Sequence, residues 1–209
     1  MFPTKLMDIE ALKEHYDKRK LIIEKRLKEF SSRSQEQQFH EFLFCTLTPQ
    51  SNASRCWEAV KQIILLQKLS KKELIDILSK KTRFHNNKAN YILHNIPLWA
   101  KIQNNLNNSD RKTLRNFLAE NVYGYGLKEA GHFLRNIGKS DNQIAILDRH
   151  ILRNLADLRV ISTDEINIKN KAHYLSIENK FISFSKEIKI PIDHLDLAFW
   201  SHETGEIFK

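Results

Sequence analysis

This chain of 209 residues is poor in the residues that break or clip a fold, with four prolines, five glycines and two cysteines. Two thiols, Cys45 and Cys56, cannot build a disulfide framework, and they fall short of the four thiolates an iron–sulfur cluster takes. Both lie in helical, apolar surroundings and are expected as buried structural groups. No apolar run approaches the length that crosses a bilayer. The opening residues, Met1-Phe2-Pro3-Thr4-Lys5-Leu6-Met7-Asp8, lack the apolar core of a secretory signal. A soluble, cytoplasmic protein without a membrane partner is therefore expected. Nine histidines show no close spacing with cysteine or carboxylate that would mark a metal site, so no metal is expected.

What is present is an ordinary globular share of apolar residues, 41%, and a surplus of positive charge. Lys and Arg number 34 against 25 Asp and Glu, a net charge of +9. That balance favours a polyanionic partner, most often nucleic acid, although a lysine-rich surface also serves plain solubility.

Helix formers dominate, and nothing alternates at period two over a useful length. The apolar spacing predicts helices over 9–30, 34–47, 52–66, 70–79, 110–121, 127–137, 148–158, 171–189 and 193–202. Another carries Tyr91, Ile92, Ile96 and Trp99 and should bend or break at Pro97. Ser34 with Gln37 and Ser70 with Glu73 have capping-box spacing, and Pro49 should stop the second helix. The fold class read from this is all-α, with about ten helices.

Four of the five glycines fall between Gly124 and Gly138. Gly124 and Gly126, in Tyr123-Gly124-Tyr125-Gly126-Leu127-Lys128-Glu129-Ala130, make a Gly-x-Gly turn between two predicted helices. Such a turn can aim backbone N–H groups at a phosphate, or can simply be a packing corner. Arg111, Lys112, Arg115, Lys128, Arg135 and Lys139 surround it with positive charge. Lys128 falls in the first turn of the second helix, where the dipole disfavours an ammonium and so favours the neutral amine of a nucleophile. Asp148, before Arg149-His150-Ile151-Leu152, is a good helix N-cap, and a capping carboxylate can still face a cleft.

Together, the hairpin at about 110–137, the lysine two residues beyond its second glycine and the aspartate twenty residues later resemble the helix-hairpin-helix DNA glycosylase superfamily. The segment Thr48-Pro49-Gln50-Ser51 is similar to the one whose polar residue fills the gap left by a flipped base. The resemblance spans about 36–155. Tyr123 stands where a proline usually leads the hairpin, the loop before Asp148 has no proline, and the C-terminal cysteine cluster of one branch is absent. The sets Tyr125 to Ala130, His132 to Asn136 and Ile146 to Leu152 look most like the small archaeal and bacterial 8-oxoguanine DNA glycosylase/lyases of the second type. So does the tail, with Leu195 to Trp200, then Thr204-Gly205 and Lys209.

The resemblance implies a two-lobed fold with the active site in a cleft, one lobe taking 34–125 and the other 1–33 with 126–209. It implies a monomer that acts on double-stranded DNA containing oxidised guanine, with no organic cofactor. Lys128 is implied as the nucleophile and Asp148 as the catalytic carboxylate. Trp200 and Lys209 are implied at the lesion base, with Gln50 in the gap. Phe84, in Arg83-Phe84-His85-Asn86-Asn87-Lys88, can stack on a base or simply pack. Gly124, Gly126 and Arg149 are implied at the phosphates. Two alternatives stay open: a sister glycosylase for another damaged or mismatched base, and a non-catalytic helix-hairpin-helix DNA-binding module.

Overall fold

A computed structural model describes residues 8–107 and 110–209. The opening stretch 1–7, read above for a secretory signal, lies outside them. Among the described residues there are eleven α-helices, two short 3-10 turns and no strand. None of these helices is long and apolar enough to cross a membrane.

The described chain forms two compact units, one of residues 8–31 with 140–209 and the other of 32–139. The second contains α2 (Gln35–Leu47), α3 (Ala53–Ile63), α4 (Lys71–Ser79), α5 (His85–Asn95), α6 (Trp99–Leu106), α7 (Arg111–Asn121) and α8 (Leu127–Asn136). α2 begins on a complete capping box: Gln37 N–H donates to Ser34 Oγ, and Ser34 N–H to Gln37 Oε1. At Ser70 only half of a box forms. Glu73 N–H donates to Ser70 Oγ, but the Glu73 carboxylate takes the Ser70 hydroxyl instead of its backbone. Pro97 does interrupt its helix, as a 3-10 turn over Ile96–Leu98 between α5 and α6.

Phe42 sits at the centre of this unit, fully buried, with ring centroids of Trp99, Tyr125 and Phe133 at 5.2, 5.6 and 5.8 Å. Such a cluster adds edge and offset contacts to its area burial. Below it, buried Glu41 accepts from Arg33 at 2.6 Å and from Asn136 Nδ2 at 2.8 Å. That ties the middle of α2, and the Arg33 that precedes it, to the end of α8. The lobe boundary expected at 125/126 therefore falls at 139/140 instead, because α8 packs on α2 and α7. Neither cysteine forms a disulfide, and both are fully buried here.

The other unit contains α1 (Ile9–Ser31), α9 (Arg149–Asp157), α10 (Lys171–Glu187) and α11 (Ile192–Thr204). α1 packs against α11, with Leu12, Ile23 and Phe30 fully buried. Tyr16 OH meets His194 Nδ1 at 3.0 Å, and His15 Nε2 meets Ser201 Oγ at 2.7 Å.

Candidate active site

The hairpin is the link between α7 and α8. Asp110 caps α7, its Oδ2 accepting from Thr113 N–H and Oγ1–H at 2.9 Å each. Gly124 takes φ +82°, and a Cβ there would meet Tyr91 Cδ2 at 2.6 Å. Glycine is thus required twice, by conformation and by space. Tyr125 is buried, donating its hydroxyl to Phe42 O at 2.9 Å, and burial pushes its phenol well above the ordinary value.

Lys128 stands in the first turn of α8, with Nζ 2.8 Å from Glu129 Oε1. The other Glu129 oxygen accepts the Gly126 N–H at 3.1 Å. One carboxylate therefore holds both the turn and the lysine. This alters the reading of the phosphate cradle, because Gly126 N–H points inward to Glu129 and Tyr123 N–H to Asn95 Oδ1. The donors left include the Gly124 N–H and those of the first turn of α8, which have no intrahelical acceptor.

α5 lies behind this hairpin and presents Lys88, Tyr91 and Asn95 at i, i+3 and i+7, one face of the helix. Asn95 pairs with the backbone of Tyr123 in both directions at 2.9 Å, and Tyr91 abuts Gly124. Lys88 is 3% exposed and donates to Leu47 O, Pro49 O and Ser51 Oγ at 2.7, 2.9 and 2.8 Å. Burial, followed by the nearby Lys128 and Arg83 charges, pulls its ammonium down to about 8. Gln50, on the turn held by these bonds, is exposed with φ +53°. Phe84 is 52% exposed with φ +56°, under the Arg83 guanidinium at 5.3 Å.

In the other unit Asp148 caps α9, as its sequence position suggests. Its Oδ1 accepts from His150 N–H at 2.8 Å and Ile151 N–H at 2.9 Å. Among the described residues Oδ2 accepts no hydrogen bond, so the capped carboxylate keeps one oxygen open. The loop leading to it is fixed from α10. Tyr174 OH donates to Ala145 O at 2.8 Å, and Glu178 Oε1 accepts Ala145 N–H at 2.9 Å. His150 stands edge-on to Trp200, ring centroids 5.3 Å apart, with Nδ1 3.6 Å from Glu203. Arg149 is exposed. Lys209 is only 9% exposed, and its tail is tied to α1 where Arg19 and Arg26 donate to the carbonyls of Gly205 and Ile207.

A model of the 8-oxoguanine DNA glycosylase family matches residues 23–190. The chain belongs to that family. An 8-oxoguanine DNA glycosylase/AP lyase of Fusobacterium nucleatum is 39% identical over 197 residues, covering 88% of this chain and 89% of the relative. The Methanocaldococcus jannaschii 8-oxoguanine DNA glycosylase crystal structure superposes with TM-score 0.84 at 35% identity, covering 96% of this chain and 97% of that one. The same organism's glycosylase/lyase in complex with a 15mer DNA containing 8-oxoguanine gives TM-score 0.84 at 33% identity, covering 96% and 100%.

Within this family member, Lys128 and the Gln50 and Phe84 turns belong to the 32–139 unit. Asp148, Arg149, Trp200 and Lys209 belong to the other. Glu129, Lys88 and Asn95 were not singled out from sequence. Glu129 had a signal, three residues after a glycine that opens a helix. Lys88 and Asn95 had only their shared helix face, and their partners lie tens of residues away.

Proposed function

We propose that this chain excises 8-oxoguanine from duplex DNA and then cleaves the strand, with Lys128 as the nucleophile. Phosphates are held by the first-turn amides of α8 and by basic side chains such as Arg149. The damaged nucleotide leaves the stack, and Gln50 fills its place. In 8-oxoguanine N7 carries a hydrogen; in guanine it carries a lone pair. An acceptor facing N7 thus favours the lesion, since a buried unpaired polar contact costs about 1–3 kcal/mol. Trp200 and Lys209 are the groups assigned to the base.

Lys128 then forms a bond to C1′ as the bond from C1′ to the base breaks, and the base departs with the electron pair and takes up a proton. The free Asp148 oxygen stabilises the positive charge that develops on the sugar. Glu129 is placed to receive the proton that Lys128 must lose. Opening of the sugar gives a Schiff base. Loss of a C2′ proton then expels the 3′ phosphate by β-elimination, which an amine nucleophile permits and a water nucleophile does not.

The observation that carries this reading is Lys128 beside its carboxylate in the first turn after the hairpin, in a chain of this family. A duplex with one 8-oxoguanine should lose the base and be cut, while the undamaged duplex stays whole. Lys128→Gln should bind the lesion duplex and do neither. Wild-type protein that binds but never cuts this or any other lesion duplex would leave only a DNA-binding module.

A further inference from the structure

A buried ammonium needs a reason. Lys88 is 3% exposed, and all three of its N–H bonds are spent on the segment leaving α2: Leu47 O, Pro49 O and Ser51 Oγ. Leu47 is the last residue of α2, so the charge also sits at the negative end of that helix. The Cys56 thiol donates to the same Leu47 carbonyl at 3.2 Å, and burial pushes it up to about 11, so it stays a neutral donor. Apolar packing would fill this space with less desolvation cost. The ammonium instead fixes the course of one short turn.

Two exposed side chains depend on that course. Gln50 at φ +53° and Phe84 at φ +56° both occupy the left-handed region, which is strained for a non-glycine residue and persists only where its surroundings hold it. Ser51 Oγ accepts from Lys88 and also from the Arg83 N–H at 2.9 Å, which links the two turns through one hydroxyl. Phe84 O accepts the backbone N–H of Lys88 itself at 3.0 Å. The buried charge thus underlies the Gln50 turn directly and reaches the Phe84 turn through the Ser51 hydroxyl.

We propose that Lys88 is a positioning residue for base extrusion, holding the 48–51 turn so that Gln50 enters the duplex already shaped to fill the vacated place, with Phe84 braced beside it. This rests on the glycosylase reading above, and it separates extrusion from the chemistry at Lys128. Lys88→Met keeps length and volume while removing the three bonds. Single-turnover release of 8-oxoguanine, and the fluorescence rise of a 2-aminopurine next to the lesion, should both fall at least about tenfold. Cleavage at a preformed abasic site, where no base has to leave the stack, should stay within about twofold of wild type. In a Gln50→Ala background, Lys88→Met should add little further loss, because both changes remove one step.

An effect transmitted through charge on Lys128 would slow abasic-site cleavage equally, and so would general destabilisation. Either result, fully additive losses with Gln50→Ala, or wild-type behaviour of Lys88→Met overturns the proposal. If Lys88→Met does not fold, Ser51→Ala removes one acceptor and the link to Arg83. It should show the same selective loss at smaller size, and equal loss of both activities there also overturns the proposal. Wild-type protein that cleaves abasic sites but releases no base would overturn the glycosylase reading, a result distinct from all of these.

Discussion

At Asp148 two demands meet in one side chain. Oδ1 is committed to the amides of His150 and Ile151, which fixes the carboxyl plane, and Oδ2 accepts nothing from the described residues. Asparagine caps a helix about as well as aspartate, so Asp148→Asn should leave the thermal midpoint nearly unchanged. Single-turnover base release should drop by about a hundredfold or more if the charge serves the transition state. A large fall in midpoint with a matching loss of rate would reduce Asp148 to a cap. This residue was legible from sequence because capping is local. The direction of the Gly126 amide is not legible in the sequence, for a related reason. Nothing in a Gly-x-Gly spacing says whether the N–H points to a ligand or to a carboxylate three residues on, and here Glu129 takes it.

Among the elements, α1 and α11 carry two histidines whose charged form the fold disfavours. His15 is held below its ordinary value first by burial, then by His202 and Arg19; His194 is lowered mainly by burial. Both are therefore favoured neutral in the fold, where Ser201 and Tyr16 pair with them. The unfolded chain binds these protons near the ordinary histidine value of about 6.5, so stability rises with pH below that value. Their contribution is present above it and is lost on acidification. The thermal midpoint should fall between about pH 7.5 and pH 5.5, and the double variant His15→Gln, His194→Gln should show a shallower fall. An equal or steeper fall in the variant would contradict this. Helix positions themselves were mostly readable, since capping residues, Pro97 and apolar spacing are local signals. The α5 face was not, because Lys88, Tyr91 and Asn95 act on residues from 47 to 124.

For the whole molecule, the all-helical class followed from composition and spacing, while the division into units did not. The resemblance implied a break inside the hairpin, at a glycine; aromatic packing of Phe133 on Phe42 keeps α8 with 32–139. The net charge of +9 belongs to this scale as well. Binding to undamaged duplex should weaken steeply as salt rises, because phosphate contacts release counterions. Affinity insensitive to salt would remove the electrostatic argument for a nucleic-acid partner. The central claim, however, concerns one amine among many lysines. The most direct measurement is reduction with borohydride during turnover of an 8-oxoguanine duplex, followed by digestion and mass spectrometry of the trapped protein–DNA adduct. The account predicts a covalent adduct located on Lys128. An adduct on Lys88 or any other amine, with Lys128 unmodified, would contradict it.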